Sequence, residues 1–269
     1  MRSPLAWWPL CLSACVPSAS PRATAEDAGS RGASTPSASA PAHPEVPVTY
    51  SPCPPKGAPC RVLPLGDSIT AIGGSYRAPL FRRARQAGQS LTFVGSQEAG
   101  PQDVDGAPFP RAHEGHPGYT IDPGGGRQGI APLVPGAIAA YRPQIVTLMI
   151  GTNDVDTHLD LPNAPRRLAA LVDAIESAAP DALLVLAQIV PTASAEEDAD
   201  VVAYNAAMPA LVDERARAGK HIVLVDMHGA FKKNPRYGAE LLFDNLHPND
   251  AGYAVMAEVW YAALAPVLR

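Results

Sequence analysis

Lysine is scarce in this chain of 269 residues, confined to Lys56, Lys220, Lys232 and Lys233. With a formal net charge of −5 and no basic cluster interleaved with aromatics, the sequence lacks the electrostatic footprint of a binder of nucleic acid or another polyanion. The apolar stretch near the N-terminus, residues 5–12, falls well short of the ~20 residues that a membrane-spanning helix needs. Cysteine is confined to the first sixty positions, as Cys11, Cys15, Cys53 and Cys60. The last two, in Cys53-Pro-Pro-Lys-Gly-Ala-Pro-Cys60, lack the nearby Cys or His partners that a zinc site requires, so a disulfide is the better expectation.

A run of large apolar residues long enough to build a core is also missing from the first sixty residues, where twelve of the thirty prolines mix with Ser, Ala and Thr. Such a segment buries too little apolar surface to fold, which leaves one globular domain at 61–269. At the N-terminus, Arg2 precedes the apolar stretch, and Leu12-Ser13-Ala14-Cys15 follows it. That pattern reads as an export signal over residues 1–15, and the tetrapeptide resembles a bacterial lipobox. The resemblance implies cleavage before a lipidated Cys15 and membrane attachment through a tether at 16–60; the other reading is an ordinary cleaved signal and a secreted protein. Either way the chain is expected to be exported, and Cys53 and Cys60 to pair in an oxidising compartment.

From residue 61 short apolar runs alternate with amphipathic stretches. Strands are expected at 61–65, 91–95, 144–151, 181–190 and 221–227; the run at 144–151 is almost wholly apolar, as in a parallel sheet covered on both faces. A helix is expected at 77–86. Leu168, Leu171, Val172 and Ile175 mark another, Tyr204, Met208, Leu211 and Val212 a third, and Met256, Val259, Trp260, Ala263 and Leu264 a closing one. The expected architecture is a three-layer α/β/α sandwich around a central, mostly parallel five-stranded sheet. Ligand chemistry in such sheets gathers at the carboxyl ends of the strands.

Three segments lie there. Gly66-Asp67-Ser68-Ile69-Thr70 follows the first strand, where a serine can present its hydroxyl above the sheet edge with its own N–H free for an oxyanion; equally, Asp67 or Ser68 can simply cap the next helix. It is not the Gly-x-Ser-x-Gly elbow, because Thr70 stands at the second glycine. In Asp244-Asn245-Leu246-His247-Pro248-Asn249, an aspartate three residues ahead of a histidine can hold the imidazole so that its other nitrogen takes a serine proton, or the segment is an Asx turn before a helix cap. In Gly151-Thr152-Asn153-Asp154, after the central strand, the Asn153 amide can face a developing oxyanion, a role worth about 3 kcal/mol in comparable sites; the other reading, Asn153 and Asp154 as plain turn residues, is disfavoured by their position at the strand end.

In this order the three segments resemble the SGNH or GDSL hydrolase superfamily, whose sheet is flavodoxin-like. Residues 61–70, Phe93-Val94-Gly95-Ser96-Gln97 and His113-Glu114-Gly115-His116-Pro117-Gly118-Tyr119-Thr120-Ile121 resemble blocks of its acetyl xylan esterases, carbohydrate esterase family three. The resemblance implies Ser68 as nucleophile, His247 as general base and then acid, Asp244 as its orienting partner, and an oxyanion hole from the N–H groups of Ser68 and Gly118 and the Asn153 side chain. It implies no cofactor, a monomer, and acetylated polysaccharide or another small ester as substrate. The sequence departs from the family pattern at Asn245 (usually Gly), at Ala71-Ile72-Gly73-Gly74 and at Pro117 (commonly Ser). Alternatives are a lipolytic esterase or lysophospholipase on the same fold, and a non-catalytic carbohydrate-binding surface lipoprotein.

Two further signals are set aside. Gly124-Gly-Gly-Arg-Gln-Gly129 satisfies Gly-x-Gly-x-x-Gly, but no strand precedes it and Pro132 and Pro135 follow, so it reads as a flexible loop. His113 and His116 lack metalloprotease spacing, and Gly115 and Pro117 would spoil the helix that such ligands need; no metal is expected. His158 and His228 suggest no partner.

Overall fold

Five apolar runs form the sheet on which the domain is built, each buried along most of its length. The computed structural model describes residues 50–55 and 57–269; the expected signal peptide, Cys15 and the linker up to residue 49 lie outside the described residues. In chain order the first half comprises β1 (Cys60–Gly66), α1 (Ser68–Ala71), α2 (Arg77–Gln86), β2 (Leu91–Phe93), β3 (Gln97–Glu98), β4 (Asp103–Val104), β5 (Ala107–Pro108), β6 (Ala112–Gly115) and α3 (Val134–Tyr141). The second comprises β7 (Ile145–Met149), α4 (Thr152–Asp156), α5 (Ala164–Ala178), β8 (Leu183–Ala187), α6 (Ala195–Asn205), α7 (Met208–Arg217), β9 (Ile222–Val225), α8 (Met227–Lys232), α9 (Tyr237–Glu240) and α10 (Asp250–Leu264).

The five expected strands are present and pair in parallel in the order β2-β1-β7-β8-β9. Two short strands widen the sheet to seven: β6 joins β1 in parallel at Leu65↔Glu114, and β3 joins β6 antiparallel. β2 and β6 therefore share one edge of β1, the first along Cys60–Val62 and the second along its carboxyl end. The handover falls at Gly95, whose φ of +152° is open to glycine and where a Cβ would collide with the His113 carbonyl. The sequence Ala-His-Glu-Gly of β6 carries no apolar alternation, so β6 escapes a reading based on period.

Right-handed crossovers put α2, which links β1 to β2, on the face opposite α3 and α5, which carry the chain the other way across the sheet. The packing agrees, with α10 against α2 and α3 against α5, completing the α/β sandwich. The winding direction reverses at β1, so the crevice at its carboxyl end is the topological switch point, where doubly wound sheets hold their ligands. Ser68 follows there directly.

At the opposite end, residues 50–60 are tied to the domain. The Tyr50 ring stacks on His221 with centroids 3.6 Å apart, and its hydroxyl donates to the Asp181 carbonyl at 2.7 Å. Cys53 and Cys60 are joined by a disulfide, and Arg269 Nε donates to Ser51 Oγ.

Candidate active site

Asp67 caps α1, its Oδ1 accepting the Ile69 N–H at 2.9 Å. Capping by Asp67 leaves Ser68, the first residue of the helix, with its hydroxyl uncommitted to the backbone, so the two readings of this segment coexist on adjacent residues. Ser68 Oγ lies 2.9 Å from His247 Nε2, and His247 Nδ1 lies 2.9 Å from Asp244 Oδ2. A serine that donates to Nε2 requires the Nδ1–H tautomer, which is the one Asp244 holds.

The loop bearing Asp244 and His247 is rigid for local reasons. Asp244 Oδ1 accepts the N–H groups of Leu246 and His247, both at 2.7 Å, and the Phe243 N–H donates to the His247 carbonyl at 2.7 Å. Asn249 then caps α10 through the amides of Ala251 and Gly252. The Asx turn and helix cap are thus present, and they aim the imidazole. Burial opposes charge on Asp244, but the His247 and Leu246 amides and the His247 ring outweigh it and hold the carboxyl below its ordinary value. Asp67 goes the other way: buried completely, with Oδ2 lacking any hydrogen-bond partner, its carboxyl is pushed by burial up to about 6.

Gly118 sits in a tight turn, His116-Pro117-Gly118-Tyr119, closed by the Tyr119 N–H on the His116 carbonyl at 3.2 Å. Proline at the second position and a glycine of φ +77° at the third are the requirements of a type II turn, so Pro117 stands where its fixed φ is useful. Arg127 Nη1 donates to the Gly118 carbonyl at 3.1 Å. Asn153 Nδ2 donates to the Tyr119 carbonyl at 2.9 Å, which fixes the amide and leaves its second N–H to spare. The buried neighbour Asp154 binds Arg167 at 2.7 Å and the Ile121 N–H at 3.0 Å, tying α4 to the strand-like stretch after the turn.

The contacts that support the Gly118 turn do not show in the sequence. The Glu114 carboxylate accepts the Ser96 N–H and hydroxyl and faces His116 Nε2, each at 2.8 Å, and His116 stacks on Tyr119 with centroids 4.9 Å apart. Burial opposes the Glu114 charge, yet His116 and the Ser96 donors hold its carboxyl below the usual range. The signal available was the pair Ser96 and Glu114, but nothing in a period of two or 3.6 joins a residue just before β3 to one on β6. His228 and His158, for which the sequence suggested no partner, face Asp198 at 3.1 Å and Asp200 at 3.4 Å.

His113 and His116 engage different partners. It is buried, its Nδ1 accepts the Gly115 N–H at 3.1 Å, and burial, then the Arg77 and His116 charges, push its pKa down to about 4. Among the described residues no three His, Cys, Asp or Glu side chains cluster as metal ligands. The glycine run 124–129 is a tight turn rather than a loose loop: Gly124 and Arg127 exchange both backbone hydrogen bonds around Gly125 and Gly126, which have positive φ.

Residues 65–255 match the model of the GDSL-like lipase/acylhydrolase family. Over 234 residues the chain is 30% identical to a multidomain esterase of Ruminococcus flavefaciens, spanning 78% of this chain and 29% of that relative's length. A family 3 carbohydrate esterase of Clostridium thermocellum superposes with a TM-score of 0.65 at 31% identity, covering 77% of this chain and 96% of that one. An acetyl esterase mutant with acetate ion superposes with the same score at 28% identity and the same coverage. These relatives are carboxylic ester hydrolases, and this chain belongs to the GDSL-like lipase/acylhydrolase family.

Proposed function

We propose that this chain is an exported serine esterase that hydrolyses O-acetyl esters of carbohydrates, acetylated xylan first, through an acyl-enzyme on Ser68. The observation that carries the reading is the relay Ser68 Oγ to His247 Nε2 and His247 Nδ1 to Asp244 Oδ2, at 2.9 Å for each step. It stands at the switch point of the sheet, where β6 and β7 flank the carboxyl end of β1; the Gly118 turn follows β6 and Asn153 follows β7.

His247 takes the Ser68 proton as the hydroxyl attacks the ester carbonyl, and Asp244 stabilises the imidazolium. The carbonyl oxygen, now negative, is received by the N–H groups of Ser68 and Gly118 and by the spare N–H of Asn153. Collapse transfers the His247 proton to the leaving alcohol and leaves an acyl-serine, which water hydrolyses by the same route. The acetyl preference is supported by the resemblance to acetyl xylan esterases and by the acetyl esterase neighbour; export is supported by the N-terminal signal pattern.

Acetate release from acetylated xylan and from p-nitrophenyl acetate tests the reading, with Ser68→Ala as the control. Loss of a nucleophile from a triad lowers kcat by about 10⁶-fold. Equal release by wild type and variant overturns the esterase reading, and faster turnover of octanoyl than of acetyl esters overturns the acetyl assignment in favour of a lipolytic enzyme.

A further inference from the structure

Phe243 is 81% exposed, the most exposed large apolar side chain among the described residues. It directly precedes Asp244, on a segment that leaves it little freedom. Leu242 bridges Pro248 in antiparallel fashion, the Asn249 N–H donates to the Leu241 carbonyl at 3.0 Å, and the Phe243 N–H donates to the His247 carbonyl at 2.7 Å. Phe243 and His247 are thus opposite each other across the loop. Opposed residues of an antiparallel pair project to the same face, with Cβ atoms about 5 Å apart, and that face alternates with the one used by their neighbours. Leu242 and Pro248 are buried on one face, which leaves the other for Phe243 and the imidazole that meets Ser68.

We propose that Phe243 is a specificity-determining residue that holds the alcohol half of the substrate, packing its ring against the C–H face of the pyranose that carries the ester. The inference rests on the esterase reading above. When the acyl-enzyme forms, the C–O bond to the alcohol breaks and the proton on His247 Nε2 passes to the departing oxygen, so the alcohol must lie within hydrogen-bond reach of His247. The acyl carbonyl lies instead toward Gly118 and Asn153. A ring on the His247 side therefore meets the leaving group and not the acyl group. Asp244 and Asn245 beside it are exposed and polar, and the other exposed large apolar side chains among the described residues are Ile72 and Val202. One aromatic face among polar groups suits a sugar, which alternates C–H and hydroxyl, better than an acyl chain, which needs a continuous apolar groove.

Two acetyl esters that differ only in the alcohol separate the possibilities: methyl β-xylopyranoside triacetate and ethyl acetate. Phe243→Ala is expected to lower kcat/KM on the sugar ester by about three- to tenfold, the worth of one aromatic contact, and to leave ethyl acetate within twofold. Phe243→Trp is expected to restore the sugar ester. Equal losses on both esters would mean that the variant disturbs the Asp244–His247 loop, and no loss on either would mean that the ring is a bystander; each result overturns the proposal. A wild-type enzyme that hydrolyses neither ester overturns the esterase reading itself, and one that prefers octanoyl esters overturns the acetyl assignment; both failures are distinct from those of the variant.

Discussion

Asp67 adjoins Ser68 in the chain, Asp244 meets the histidine that faces it, and their surroundings set the two carboxylates apart. Asp67 is buried with one unpartnered oxygen, and its pKa of about 6 lies above the unfolded value of 3.8. The folded state therefore binds this proton more tightly: the group's contribution to stability is full below pH 3.8 and is lost as pH rises through about 6, a swing on the order of 3 kcal/mol. Asp67→Asn keeps the capping oxygen for Ile69 without the buried charge. It is expected to be more stable than wild type in urea at pH 7.5 and to converge with it near pH 4, while kcat falls because the negative charge near the His247 cation is gone. Parallel stability curves for the two proteins over this pH range would refute the account. Asp244→Asn makes the complementary test: its remaining oxygen can still accept the Leu246 and His247 amides, but it no longer selects the Nδ1–H tautomer. Activity should drop about 10⁴-fold with little change in melting temperature. A large loss of stability would show that the carboxylate acts chiefly on the loop.

At the scale of elements, the site is assembled from turns that begin where strands stop, and the turn chemistry decides the geometry. Gly118→Ala places a Cβ at φ +77°, 3.3 Å from Arg127 Nη1. The left-handed backbone costs about 1–2 kcal/mol, and a tilted peptide withdraws the N–H proposed above as an oxyanion donor. The expected outcome is a kcat reduced about 100-fold with KM nearly unchanged, read by steady-state kinetics; a rise in KM alone would place the Gly118 N–H outside the reaction. Glu114→Gln tests the supporting contacts. It leaves the half-buried His116 without a charged partner, so stability should fall by about 1–3 kcal/mol in denaturant, and kcat should fall as the His116–Tyr119 turn loosens. These elements differ in how far the sequence reveals them. β7 and β8 are legible because burial on both faces leaves apolar residues at every position but Thr147, and the Asp244–His247 pair is legible because its parts are three residues apart. β6 is not, since its side chains are chosen for contacts with Ser96 and His116 rather than for alternation. The Asp154–Arg167–Ile121 tie is likewise invisible, because it joins three elements through one carboxylate.

Across the whole molecule, the sheet separates what holds the chain together from what reacts. β1 runs from Cys60 to Gly66, about 20 Å at the rise of a strand, with the disulfide at its amino end, the Tyr50–His221 stack at the same end of the sheet beside β9, and Ser68 beyond its carboxyl end. The loop closed by Cys53 and Cys60 spans a separation of seven residues, so its closure restricts the unfolded chain by an amount worth about 2–3 kcal/mol. That free energy acts on the unfolded state and on the base of the sheet; it has no route to the relay except through β1, whose residues are held by β2 on one side and β7 on the other. Replacing both cysteines by alanine should therefore lower the unfolding free energy measured in urea by that amount while kcat/KM at 25 °C stays within twofold of wild type. If kcat/KM falls in step with stability, the two ends of the sheet are coupled, and the amino-terminal strap belongs to the working parts of the enzyme.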